Sequence, residues 1–106
     1  MTMTPSQTAI YRQLLTAVEA IGPFKEDPKK TSIHLTRTSA FAGVATRKNA
    51  LLLTIKAAAD IDSPRIVKRE QASANRWHLE VRLEKPSDVD RELKAWLKAA
   101  MALSSS

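Results

Sequence analysis

Apolar residues recur at the spacing of an amphipathic helix in the first part of the chain. The stripe consists of Ile10, Tyr11, Leu14, Leu15, Val18 and Ile21. Thr4 precedes the stripe as an N-cap, Pro5 suits the first helical position, and Gln7 completes a capping box. Gly22 is followed by a proline, which cannot continue a helix. The pattern predicts one helix between Thr4 and Gly22.

A second stripe at helical spacing lies near the C-terminus. Its apolar positions are Val89, Leu93, Trp96, Leu97, Ala100 and Leu103. Ser87 is the predicted N-cap, and Asp88 and Asp90 lie in the first turn, where the helix dipole favours negative charge. We expect Ser104–Ser106 to form a frayed tail beyond this second helix.

Between the two helices the apolar period shortens to two residues, which is the period of a β-strand. The alternation is clearest over residues 76–83, where Trp77 and Leu79 face one way and His78 and Glu80 the other. Further strands are predicted over residues 31–37, 40–46, 50–56 and 65–70. The third of these is apolar at nearly every position and is expected to be covered on both faces. The fourth is highly charged and is expected near a sheet edge, and residues 24–28 are predicted to be a polar connection.

The order of elements is therefore helix, about five strands, helix. This order predicts an α+β domain with a mostly antiparallel sheet and both helices packed on its apolar face. The length of 106 residues fits a single domain covering residues 1–106, with a core over residues 5–103.

The composition excludes several kinds of site. The chain has no cysteine, so disulfides, thiolate metal sites and cysteine nucleophiles are absent. With 2 glycines it has no glycine-rich phosphate loop. No segment has the pattern of a signal peptide or the length of a membrane span, and by elimination we expect a cytoplasmic protein without membrane contact.

The charge is unevenly distributed along the chain. The formal charge is +6, from 17 basic and 11 acidic residues. Both predicted helices are nearly balanced, and the excess lies in residues 24–48 and 65–83. A basic sheet favours an anionic partner, although a small protein also carries surface charge for solubility.

The polar face of the predicted sheet supplies the candidate ligand-binding site. Imidazoles, arginine forks and a hydroxyl on one face suit a phosphate or carboxylate group. The candidate ligand-binding residues are Ser32, His34, Arg65, Arg76 and His78. The alternative is a solvated face, on which polar residues alternate by necessity. The 2 histidines match no metal-ligand spacing, even with help from Glu80 or Asp62, so we predict neither a metal nor a cofactor.

Basic residues at the strand ends form a candidate rim, consisting of Lys29, Lys30, Arg47 and Lys48. Such residues can clamp a phosphate backbone, but few aromatic residues are available for base stacking, and most fall on predicted core faces. The case for nucleic acid is therefore weak. For catalysis, Ser32 and Ser39 lack a nucleophile motif, so no catalytic residue is assigned. Glu80 could orient His78 as a general base, but a charge pair across the sheet face is the commoner role for such a residue.

Three segments carry a family resemblance: GPFKEDPKKTSIHLTRTSAFAGV, SPRIVKREQASANRWHLEVRL and DVDRELKAWLKAA. They resemble a bacterial family, domain of unknown function 5655, some members of which are labelled predicted transport proteins. The likeness covers roughly residues 10–100 and is most specific at Lys29–His34, Phe41, Ser63–Ile66 and Asn75–His78. Family members of the short type often have a second histidine where this chain has Leu79. The resemblance implies one compact domain and no established activity.

Three functional hypotheses remain open from the sequence. The favoured one is a non-enzymatic binding module whose basic sheet face recognises an anionic or phosphate-bearing small molecule. The second is a nucleic-acid or protein-binding accessory domain that uses the whole basic face. The third is a small enzyme with His78 and His34 as acid and base. An exposed strand edge also leaves a homodimer open.

Overall fold

The computed structural model describes residues 2–105, with two helices flanking six strands in sequence order. The helices are α1 (Pro5–Ile21) and α2 (Arg91–Ser105), and a short 3₁₀ helix (Pro86–Asp88) precedes α2. The strands are β1 (Lys25–Pro28), β2 (Ile33–Thr36), β3 (Ala40–Arg47), β4 (Ala50–Ala57), β5 (Ile66–Ser73) and β6 (Arg76–Leu83).

The strands form one sheet in the order β1-β2-β3-β4-β6-β5, and every neighbouring pair is antiparallel. The first four strands follow one another as a meander. The segment of residues 58–65 then crosses over, so that β6 lies between β4 and β5. The predicted α+β class with an antiparallel sheet is confirmed, with six strands in place of about five.

The additional strand is β1, in the stretch predicted as a polar connection. Its side chains are mostly exposed, and its pairing with β2 brings Glu26 opposite Leu35 and Asp27 opposite His34. The strand is held by backbone pairing, so no apolar alternation marks it in the sequence. At the other edge, β5 is the predicted charged edge strand, but it extends to Ser73.

The core lies between one sheet face and the two helices. Residues opposite one another on neighbouring strands, such as Val44, Leu53 and Val81, are fully buried on that face. Both helices contact β4, and α1 also contacts α2. On β4 the burial alternates, so Leu52 and Thr54 are only half-buried. The expectation that this strand is covered on both faces is therefore wrong.

Side-chain hydrogen bonds tie both helices to the sheet. The predicted capping box is present, and the buried Gln7 also donates through Nε2 to the carbonyls of Arg47 (2.8 Å) and Ala50 (3.1 Å). At the end of α2, the Ser104 hydroxyl donates to the Ser39 carbonyl and accepts from the Ser39 N–H. Ser104 is buried and helical rather than frayed, and Ser106 lies outside the described residues.

The start of α2 also differs from the prediction. Ser87 lies in the 3₁₀ helix, and it is the Asp90 carboxylate that accepts from the backbone N–H of Leu93 (3.0 Å). This hydrogen bond lowers the pKa of Asp90, and Arg65 acts in the same direction. Asp90 therefore has the hydrogen bond that the sequence assigned to Ser87.

Candidate functional site

The sheet face opposite the helices carries a continuous row of residues across five strands. In register, Asp27 of β1 lies opposite His34 of β2, which lies opposite Gly43 of β3. The row continues through Thr54 of β4 to Glu80 of β6. Both described helices, α1 and α2, pack on the other face, so we call this face the open face. Because side chains alternate along each strand, residues two positions before and after this row also belong to the open face. Phe41 of β3 is the exception, because a register shift between β2 and β3 places it in the core.

A cavity of about 270 Å³ lies on the open face above β3 and β4. Its polar lining consists of Ser32, His34, Thr54, Lys56 and His78. The remainder of the lining is small or apolar: Ala40, Phe41, Ala42, Gly43, Val44, Ala45 and Ile55. The volume is just below the range of roughly 300–1,000 Å³ that is usual for small-molecule pockets, so the cavity suits a small ligand.

Gly43 forms the floor of the cavity between His34 and Thr54 in register. Its φ does not lie in the left-handed region, so the backbone conformation does not require glycine. A Cβ placed there would lie 3.7 Å from the Cδ2 atom of His34, an ordinary van der Waals distance. The missing side chain therefore leaves space beside the His34 ring that a ligand atom could fill.

The two histidines line the same cavity from opposite sides. His34 is on β2 and His78 is on β6, and two strands lie between them. At the usual strand spacing their backbones are about 14 Å apart across the sheet. The prediction that both imidazoles lie on one face holds in this structure, and the cavity separates them. Leu79, the next residue of β6, is fully buried on the helix side.

A carboxylate lies beside each histidine, on the outer strand. On one side Asp27 lies opposite His34, and a hydrogen bond from Lys29 holds the pKa of Asp27 below its usual range, with His34 acting in the same direction. On the other side, the Nδ1 atom of His78 is 4.0 Å from a Glu70 carboxylate oxygen. Neither carboxylate lines the cavity. Glu80, a possible partner of His78, lies 3.9 Å from Lys68.

Lys56 is the cationic residue of the cavity lining. It lies opposite His78 in the pairing of β4 with β6. Within residues 2–105 its ammonium group forms no ion pair, and the cavity lining includes no aspartate or glutamate. The cavity therefore combines one uncompensated positive charge with imidazole and hydroxyl hydrogen-bonding groups.

The structure brings three of the five candidate ligand-binding residues together and places two elsewhere. Ser32, His34 and His78 line the cavity. Arg76 is on the same face of β6 but beyond the cavity, and its guanidinium donates to the neighbouring carbonyl of Asn75 (2.7 Å). Arg65 precedes β5 and lies against the start of α2, where Asp90 accepts a hydrogen bond from its guanidinium (2.9 Å).

The four candidate rim residues lie in two turns at the same end of the sheet. Lys29 and Lys30 are in the β1–β2 turn, and Arg47 and Lys48 are at the β3–β4 turn, which the antiparallel meander places at one end. Lys29 forms an ion pair with Asp27 (2.9 Å). None of the four lines the cavity.

Sequence reasoning missed Gly43, Thr54 and Lys56 as components of the cavity. A glycine inside a strand, such as Gly43, indicates only a bulge or a close backbone approach. Thr54 and Lys56 alternate with Leu53 and Ile55, which is the signal for an open-face position. Because most residues of β4 are apolar, this alternation is difficult to recognise in the sequence.

The fold and the cavity define a small α+β domain with an antiparallel sheet covered on one face and open on the other. Residues 4–104 match the family model described as domain of unknown function (DUF5655). The chain therefore belongs to this family, as the resemblance predicts. No curated protein and no solved structure matches the chain.

Two further features are absent from the part of the chain that the structure describes. Residues 2–105 contain no helix with the length and apolar character needed to span a membrane. The same residues contain no group of three or more histidine, aspartate or glutamate side chains placed to hold a metal ion.

Proposed function

We propose that the protein is a non-enzymatic binding module that holds a small anionic ligand in the open-face cavity. The observation that carries the proposal is Lys56, which lines the cavity and whose ammonium group forms no ion pair among residues 2–105. Charge-assisted hydrogen bonds are the strong ones in recognition of carboxylate and phosphate groups. His34, His78, Ser32 and Thr54 supply further hydrogen-bonding groups around that charge.

The shape of the open face supports binding over simple solvation. A solvated antiparallel sheet has polar residues on its outer face, but it does not need a concavity. Here a strand glycine without positive φ and two neighbouring alanines, Ala40 and Ala45, leave space between taller side chains. A pocket with a few convergent polar groups is the default binding site in a small domain.

The arrangement of the histidines favours binding over catalysis. Neither imidazole has a hydrogen-bonded carboxylate among the described residues, and Glu70 remains 4.0 Å from His78. That pairing is what usually orients a histidine as a general base. The hydroxyl of Ser39, a second candidate nucleophile, is within 3.2 Å of Ser104 and away from the cavity.

Titration of the protein with sodium acetate and with inorganic phosphate, followed by NMR chemical-shift changes, tests this proposal. We expect saturable shifts in the resonances of His34, Thr54 and His78. Replacing the ammonium by an uncharged amide in Lys56→Gln should weaken binding about tenfold or more, because a charge-assisted hydrogen bond is lost.

Lys68→Gln is the matched control, because Lys68 is on the same sheet but does not line the cavity. This variant should bind the anions as the wild type does. The proposal fails if no anion gives saturable shifts, or if Lys56→Gln and Lys68→Gln weaken binding equally.

We also infer that the protein acts in the bacterial cytoplasm. The inference is supported by the lack of cysteine, since small secreted domains commonly depend on disulfides. Fractionation of cells producing the untagged chain, with detection by antibody, should place it in the cytoplasmic fraction. Recovery from the periplasm or the medium would contradict the assignment.

A further inference from the structure

We infer that the anionic ligand is a small aromatic acid whose ring lies on the Gly43 floor of the cavity. The inference rests on the proposed function, because it assumes that an anion binds beside Lys56. It adds the chemical class of the ligand, which follows from the floor, the distribution of polar groups and the size of the cavity.

The floor is suited to the flat face of a ring. At its centre Gly43 presents only backbone, and Ala40 and Ala45 contribute small apolar side chains nearby. An added carbon at Gly43 would contact the His34 ring at 3.7 Å. Ring atoms of a ligand in this space would contact the edge of the imidazole, a favourable arrangement for aromatic groups.

The polar groups of the lining are divided between two sides of this floor. Ser32 and His34 belong to the β2 side, and Lys56 and His78 belong to the β4–β6 side. Because Lys56 and His78 lie opposite one another in register, this side provides the site for the anionic group. Ser32 and His34, on the other side, could form hydrogen bonds with a second substituent of the ligand, on the opposite side of its ring from the anionic group.

The volume limits the ligand to about one ring. The cavity measures about 270 Å³, whereas pockets for drug-sized molecules reach roughly 1,000 Å³. A nucleotide or a longer chain would extend onto the surrounding sheet. A benzoic acid with a substituent at the far side of the ring has the required shape and polarity.

Four probes separate the contributions of ring, acid and second substituent. These are acetate, benzoate, 4-hydroxybenzoate and phenyl phosphate, titrated against the full chain by NMR. Benzoate should bind about tenfold or more tightly than acetate, because the two share a carboxylate and differ in a buried apolar ring. The 4-hydroxyl group should tighten binding further through Ser32 and His34. Either benzoate or phenyl phosphate as the tighter ligand supports the inference and identifies the acid group.

Gly43→Val tests the floor directly. Valine favours strands, and its methyl groups would occupy the ring space, so benzoate should bind no more tightly than acetate. Gly43→Ala, with one added carbon, should give a smaller loss and provides the same test if the valine variant does not fold. Thermal unfolding and the NMR spectrum of each variant without ligand report whether the fold is kept.

The outcomes distinguish the two levels of the proposal. If acetate and benzoate bind equally, or if Gly43→Val keeps the preference for benzoate over acetate, the assignment of an aromatic acid as the ligand is wrong. The proposal that the cavity binds an anion is not contradicted by either result. If 4-hydroxybenzoate binds no better than benzoate, the role given to Ser32 and His34 is wrong. If no probe binds in a Lys56-dependent way, both proposals fail.

Discussion

Arg65 lies against the start of α2 and not on the open face, where the strand predicted over residues 65–70 would place it. Its guanidinium donates to Asp90 (2.9 Å) and to the Asp88 carbonyl (2.7 Å) and lies 5.7 Å from the centroid of the Trp96 ring. Arg65 precedes β5, so the alternation that places strand residues on one face does not apply to it. His34 and His78 lie inside strands, and alternation placed them correctly on the open face.

Tyr11 provides a prediction about pH at the scale of one residue. Burial raises the pKa of Tyr11 above its usual value of about 10, and the hydrogen bond that its hydroxyl donates to Glu26 (2.6 Å) adds to the effect. The folded state therefore favours the protonated phenol. The resulting stability is present below the unfolded pKa and is lost as the pH rises through about 10 towards the folded pKa.

We expect Tyr11→Phe to be less stable than the wild type near neutral pH, with a difference that narrows as the pH rises above about 10. Urea unfolding at several alkaline pH values measures this difference. The chain has 1 tyrosine, so ultraviolet absorbance of the phenolate also reports the titration of Tyr11 itself. A difference that stays constant with pH would contradict the assignment.

At the scale of the element, Gln7 links the start of α1 to the turn between β3 and β4. Its side chain joins the capping box and donates to the carbonyls of Arg47 and Ala50. Gln7→Ala leaves these carbonyls without their partner, so the free energy of unfolding should fall by about 1–3 kcal/mol. Denaturant unfolding measures the change.

Gln13→Ala is the control for this prediction, because Gln13 is an exposed residue of the same helix. It should change stability by less than about 0.5 kcal/mol. Because alanine favours helices at least as well as glutamine, equal losses in the two variants would show that the link to the sheet does not decide the effect of Gln7→Ala.

The same scale shows which elements the sequence could predict. Both helices and β6 carry apolar residues at the period of their own structure, so local pattern is enough. The short strand β1 has no such pattern, because its side chains are mostly exposed and its pairing with β2 defines it. The Ser104 contact with Ser39 joins residues 65 positions apart, which no local pattern can show.

At the scale of the whole molecule, the two sheet edges decide whether copies associate. The edge strand β5 carries the exposed Val67, but its pairing with β6 is interrupted by two register shifts, and Lys68 and Glu70 add charge. The Arg69 guanidinium forms an ion pair with Asp60 (2.9 Å). At the other edge, β1 has four residues and ends in Pro28. Bulges, charges, proline and short strands all oppose edge-to-edge pairing.

We therefore expect a monomer in solution. The sequence alone is also compatible with a homodimer that forms through an exposed strand edge. Sedimentation equilibrium should give a mass near 11.7 kDa over a wide concentration range. A mass of twice that value, lowered by a proline substitution at Val67, would show that β5 pairs between copies. The sequence does not predict the order of the strands in the sheet, because no local pattern indicates that β6, and not β5, lies beside β4.

The crossover at residues 58–65 has a consequence for the protein as it is being synthesised. The strands of the meander, β1 to β4, emerge first from the ribosome, but the next strand to emerge, β5, has no place beside β4 in the folded sheet. Its neighbour β6 follows later and must enter between the two. Until residue 83 has emerged, the nascent chain carries an unpaired β4 edge with apolar residues and a free charged strand. A chaperone that recognises apolar edges would find its site in this interval and lose it when β6 pairs.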